Sequence, residues 1–124
     1  MQIKSYKDLI VWQKSVDLVN EVYIITRQMP KTEVFGLISQ MQRSAVAIPS
    51  NIAEGFGRKG RKEFAQFLYI AYASSLELDT QLIISKRQYP DIQYQNAEGL
   101  LTEVQKMLKA LIRTVEDNER PSKD

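Results

Sequence analysis

Four stretches of this chain place apolar residues at steps of three and four, and no stretch alternates apolar with polar as a half-buried strand does. That period belongs to amphipathic helices and confines the chain to an all-α fold. The first stretch follows Ser5, a candidate N-cap with Asp8 three residues on, and carries Leu9, Trp12, Val16, Val19 and Tyr23 on one stripe before Pro30 stops it. A second stripe, Val11, Leu18, Val22, Ile25 and Met29, widens its apolar face. The second stretch starts near Glu33 and keeps Val34, Ile38, Met41, Ala45, Ile48 and Ile52 in register straight through Pro49. An interior proline costs about 3 kcal/mol, but a fresh helix at that point would need Ile48, a poor capping residue, as its N-cap. One long, kinked helix ending near Phe56 is expected. The third runs from about Arg61 to Arg87 with Phe64, Leu68, Ala71, Ser75, Leu78 and Leu82 inward, and Tyr89-Pro90 closes it. Ala71, Ala73, Ser74 and Ser75 keep its middle thin, so that a neighbouring helix can approach closely. The fourth, from about Tyr94 to Asp117, repeats Ala97, Leu101, Val104, Leu108, Leu111 and Val115 without a missed step.

Four such helices with short connections predict an up-down-up-down antiparallel four-helix bundle over residues 1–117. The remainder, 118–124, reads NERPSKD; it has a proline and no apolar residue, and is expected to be a disordered tail.

Composition narrows the chemistry. The chain has 0 Cys and 0 His, which removes disulfides, thiolate nucleophiles, the commonest general base and the usual nitrogen and sulfur ligands of zinc. Glu54 and Glu77 would have to supply all acid and base chemistry, and the Glu-x-x-His pairs of a di-iron bundle cannot be built. No catalytic residue, metal or cofactor is expected, and no enzymatic activity. With a net charge of only +2 over 124 residues, attraction to nucleic acid must come from local clustering. The N-terminus MQIKSYKDLIVW lacks the apolar run of a signal peptide, and no apolar stretch approaches the roughly 20 residues of a membrane span. A cytoplasmic protein with no membrane partner is expected.

One motif points elsewhere. GFGRKG, residues 55–60, has the G-x-G-x-x-G spacing of dinucleotide-binding loops. That chemistry needs a buried strand before the glycines and a helix after them, so that helix N-terminal amides face the phosphates. Here helical SAVAIPSNIAE precedes and helical RKEFAQFL follows. The spacing is therefore read as punctuation: Gly55 and Gly57 end the second helix, where a positive φ is wanted, and Gly60 opens the third.

The run LISQMQRSAVAIPSNIAEGFGRKGRKEFAQFLYIAYASSLEL, with DLIVWQKSVDLV and MPKTEVFGL before it, resembles the 23S rRNA-intervening-sequence protein family of small bacterial four-helix bundles. The resemblance covers about residues 6 to 115. It implies an all-helical bundle assembled as a homo-oligomeric ring of five, and kinship with basic pentameric accessory proteins of diversity-generating retroelements that engage nucleic acid and a reverse transcriptase. It implies no known enzymatic activity. The family pattern falls here on Trp12, Gln40, Arg43, Pro49, Asn51, Glu54, Gly55, Arg58, Glu63, Phe64 and Glu77. Where the family usually has a capping serine before the third helix, this chain has Gly60; Glu63 is expected to reach back to the Gly60 amide, giving a cap weaker by several tenths of a kcal/mol.

Gln40, Arg43, Ala47, Asn51, Glu54 and Arg58 share one stripe of the second helix. A structural role is expected for it, with Arg43 pairing Glu77 or Glu54 at the seam of helices two and three or across subunits. The basic cluster Arg58, Lys59, Arg61 and Lys62 reads either as a solvated turn or as a phosphate-contacting patch that a ring of five would display on one rim. Whether Lys4, Lys7 and Lys14 share that end stays open. Tyr69, Tyr72 and Leu76 look outward on the third helix, to stack bases or to be buried between subunits. Two functions follow: a homo-oligomeric module for RNA or DNA, or a scaffold for another protein without a nucleic-acid role.

Overall fold

The structure, a computed structural model, describes residues 2–119, with side chains through residue 117. Its elements are four helices, α1 (Ile10–Arg27), α2 (Ser39–Phe56), α3 (Arg61–Gln88) and α4 (Gln95–Glu119). Each packs on its sequence neighbours and α1 packs on α4, so the four close an antiparallel up-down-up-down bundle with no strand among the described residues. Helix α4 continues through residues 118 and 119; the rest of the expected tail, 120–124, lies outside the described residues.

The core is built from one residue per turn of each helix, with Leu18, Ile25, Met41, Ile48, Ile52, Leu68, Leu78 and Leu108 almost completely buried. The stripe of Val11, Leu18, Val22 and Ile25 on α1, continued by Met29 just past its end, is buried in the core, while Leu9 before the helix and Trp12 and Val19 on it pack on the core from its margin. Phe64 and Leu111 are likewise marginal rather than central. The thin middle of α3 is confirmed, since Ala71, Ser74 and Ser75 are buried and Ser75 folds its hydroxyl back onto the Tyr72 carbonyl.

Three local expectations need correction. Ser5 and Asp8 do form a capping box, with Ser5 Oγ accepting from the Lys7 amide at 3.2 Å and Asp8 accepting from the Ser5 amide at 3.1 Å. The box, however, caps a separate 3-10 turn, Tyr6–Asp8, because Leu9 is extended (φ −74°, ψ 123°) and α1 starts only after it. Helix α2 begins at Ser39 rather than near Glu33: Lys31–Glu33 is a 3-10 turn, Val34–Ile38 is a wide π-type turn, and Gly36 within it is non-helical. From Ser39 the helix runs as one element through buried Pro49, although that residue brings no N–H to the Ala45 carbonyl.

The third correction concerns the glycines of GFGRKG. None has a positive φ, and Gly57, the C-cap of α2, sits at φ −76°. Gly55 lies buried in the last turn of α2, where a Cβ would come within 2.6 Å of the Phe67 Cβ on α3. Its role is to let two helix backbones approach, not to reverse the chain.

Gly99 is the contrasting case. It sits in the first turns of α4 with nothing within 4 Å of a Cβ, so Gly99→Ala gains helix propensity without a clash. A stabilisation of about 0.5–1 kcal/mol is expected, read in thermal melts as a midpoint higher by about 2–4 °C. A lower midpoint would contradict the open space around it.

Candidate nucleic-acid interface

The α2–α3 turn, residues 57–60, and the first turn of α3 carry the basic cluster into two different environments. Arg58 is drawn back onto the bundle: its guanidinium lies 2.9 Å from Glu54 one turn earlier, 4.0 Å from Glu63 and 4.9 Å from the centre of the Phe67 ring. Those contacts use the charge locally and orient the side chain. Lys59, Arg61 and Lys62 are exposed, and none has an ion pair or hydrogen bond among the described residues. The four cations read from the sequence are thus one tethered and three free. Glu63 faces Arg58, and Gly60, the N-cap of α3, receives no side-chain hydrogen bond, so the weak cap is weaker still than one supported by Glu63.

The topology settles what spacing along the chain left open. In an up-down-up-down bundle the start of α1, the end of α2 and the start of α3 lie at one end, and the Tyr6–Asp8 turn packs on α2 there. Lys4 and Lys7 therefore share the end that holds Lys59, Arg61 and Lys62. Lys14 does not add to it as a free charge, because its ammonium is bound to Glu103 at 2.9 Å, a hydrogen bond that holds its pKa above the usual lysine value.

The stripe on α2 divides as well. Asn51 donates its side-chain amide to the Ala47 carbonyl of its own helix at 2.8 Å, a structural use. Trp12 is half-buried and meets Tyr6 edge-on with ring centres 5.2 Å apart. Gln40, Arg43 and Glu77 all line an open groove between α2 and α3. Among the described residues Arg43 pairs with neither Glu77 nor Glu54, so the expected pairing at the seam of α2 and α3 is not made within the chain. Arg43 is exposed and hydrated, so it requires no carboxylate, and Glu54 is engaged by Arg58.

On α3, Tyr69 donates its hydroxyl to both oxygens of Glu116 at 3.1 Å, which raises its pKa, and Tyr72 is half-buried with the Lys109 ammonium 5.5 Å from its ring centre. Both rings are held against α4. The outward face of α3 is nevertheless apolar over four turns, because Ile70, Leu76, Ile83 and Ile84 join Tyr69, each about half exposed. The three isoleucines escaped the sequence reading. Their only signal was an apolar count on α3 larger than one inward stripe requires.

No group of three or more Asp and Glu able to hold a metal ion occurs among the described residues, nor any helix long and apolar enough to cross a membrane.

A family model described as 23S rRNA-intervening sequence protein matches residues 7–110. Among solved structures, the chain is similar to a protein of unknown function from the S23 ribosomal protein family of Bacteroides thetaiotaomicron. The likeness has a TM-score of 0.75 and 24% identity, and covers 83% of this chain and 98% of that one. It establishes a shared fold. A comparison with curated proteins finds no match.

Proposed function

The chain belongs to the 23S rRNA-intervening sequence protein family, and we propose that it acts as a non-catalytic, self-associating helical bundle in the cytoplasm that holds nucleic acid, RNA foremost, on a cationic end. The observation that carries this reading is the set Lys59, Arg61 and Lys62, exposed and without an ion pair among the described residues, at the end that also holds Lys4 and Lys7. One chain with net charge +2 contacts a strand weakly. A ring of five subunits, the assembly that the family resemblance implies, would repeat the cluster on one rim, so that avidity replaces net charge.

The test is the salt dependence of binding to single-stranded RNA. Three phosphates neutralised per engaged subunit give a slope of log affinity on log salt of about −2, steeper as more subunits engage. Replacing Lys59, Arg61 and Lys62 together by Gln should flatten that slope toward zero with helix content and particle mass unchanged. If the substituted protein binds as the parent does, or the parent binds neither RNA nor DNA at low salt, the reading fails. A protein scaffold then takes its place, a role favoured independently by the apolar outer face of α3.

A further inference from the structure

The groove between α2 and α3 is lined mostly by polar side chains. It has a volume of about 270 Å³, and its lining comes from both helices: Gln40, Arg43, Ser44 and Ala47 from one, Ser74, Glu77 and Gln81 from the other. The volume falls just below the range of sites for drug-sized ligands, a size suited to one planar ring system. Small side chains make the floor, with Ser44 and Ser74 buried. Ser44 Oγ donates to Gln81 Oε1 at 2.6 Å, which fixes that amide and leaves its Nε2 as a free donor beside the groove.

The walls carry opposite charges that do not meet. Arg43 on α2 and Glu77 on α3 line the same groove, yet neither has an ion pair or hydrogen bond among the described residues. Elsewhere on this surface such groups do pair, as Lys14 with Glu103 and Lys86 with Glu98. An exposed Arg–Glu pair contributes at most about 1 kcal/mol, so holding the two apart costs little and a ligand need break nothing to enter.

From this arrangement we infer that the groove is a binding site for an unpaired guanine base, held by its edges between Arg43 and Glu77. A guanidinium donates in a bidentate fork to the O6 and N7 acceptors of guanine. A carboxylate accepts from two adjacent N–H donors, and guanine alone among the four RNA bases offers that pair, N1–H and the N2 amino group. Adenine and cytosine present one amino donor and no ring N–H beside it; uracil presents one ring N–H between two carbonyls. Single-stranded RNA exposes both edges of its bases to side chains. Arg43 lies about 20 Å from the end of α2, at roughly 1.5 Å per residue, so a strand whose phosphates rest on the cationic turn can lay a base in the groove further down the same seam. The proposal rests on the nucleic-acid reading only for the source of the base; a free guanine nucleotide presents the same edges.

The experiment compares unstructured labelled oligouridine with the same oligomer carrying one central guanosine or inosine, and GMP with AMP, all against the full chain. The guanosine oligomer should bind about tenfold or more tighter than oligouridine, the scale of one good bidentate contact. Inosine, which lacks the N2 amino group, should lose much of that advantage. Glu77→Gln and Arg43→Gln should each remove it while leaving oligouridine affinity unchanged, whereas replacing Lys59, Arg61 and Lys62 by Gln should weaken both oligomers in parallel and keep their ratio. GMP binding that AMP does not share, with no RNA binding at low salt, would keep the site and assign it to a free nucleotide, while ending the nucleic-acid reading. A guanosine-to-uridine ratio near one together with no preference for GMP overturns the inference, and so does an advantage that survives in both Glu77→Gln and Arg43→Gln.

Discussion

Changing Leu76 and Ile83 together to glutamate should convert an assembly of several chains into single chains with unaltered helix content. Both side chains are about half exposed on the isolated bundle, 47% and 50%, so carboxylates there meet water and cost the folded chain little, within about 0.5 kcal/mol each. Leu76 and Ile83 share the outer face of α3 with Ile70 and Ile84, each about half exposed, and with Tyr69, whose hydroxyl is held by Glu116 of α4. An apolar strip of that length on a small bundle marks a contact surface. If copies of the chain cover it, four turns of interface receive unpaired carboxylates, at several kcal/mol for each one desolvated. The parent should run in light scattering after size exclusion as a multimer, a ring of five if the proposed function holds, and the variant as a monomer. A parent mass of one chain at every concentration would remove self-association from the proposed function. A variant that keeps the parent's mass would move the interface elsewhere, with Ile10 and Ile24 on the opposite side of the bundle, both substantially exposed, as the next surface to change.

Gly55→Ala is expected to destabilise the bundle by about 1–3 kcal/mol even though alanine is the better helix former. In an open helix the exchange gains up to about 1 kcal/mol, the sign expected at Gly99. At Gly55 the added methyl would sit 2.6 Å from the Phe67 Cβ, 3.1 Å from the Phe64 ring and 3.3 Å from the Phe64 carbonyl oxygen. A Cβ is fixed to its backbone, so no rotamer change of Phe67 makes room and α3 itself has to move. The displacement acts where Arg58 stacks on Phe67 and where Phe56 meets Phe64 edge-on at 6.0 Å, so it also loosens the cationic turn. Denaturant unfolding should show a lower midpoint. Gly57→Ala, two residues on, has nothing nearer than 3.6 Å and an ordinary φ, and should be neutral or slightly stabilising. Equal effects at the two positions would mean that the close approach of α2 to α3 does not limit stability.

These two positions show how far the sequence reaches. GFGRKG could be dismissed as a phosphate loop from its helical flanks alone, because a strand before the glycines is a local property and its absence is legible in local periodicity. The reason for Gly55 could not be read, since it depends on Phe67 of another helix. The capping box of Ser5 and Asp8 was legible because its partners are three residues apart; that it caps a 3-10 turn depends on the extended backbone of Leu9, which no side-chain pattern announces.

The candidate site divides along the same line. Sequence alone determined that the chain is all helical, which stripes are apolar, that histidine and cysteine chemistry is excluded, and that four cations cluster around the junction of α2 and α3. Tertiary structure decided that, among the described residues, Arg58 is tethered while Lys59, Arg61 and Lys62 have no ion pair, that Lys4 and Lys7 lie at their end, that Arg43 and Glu77 line one groove without pairing, and that α3 exposes apolar side chains on its outer face. The reason is one of range. A helix fixes relations three and four residues apart through its 3.6-residue turn, and those are written in the order of the side chains. Charge pairing, groove width and the coverage of a face are distances between residues far apart in the chain, and they exist only once four helices have settled at the spacing their buried side chains allow.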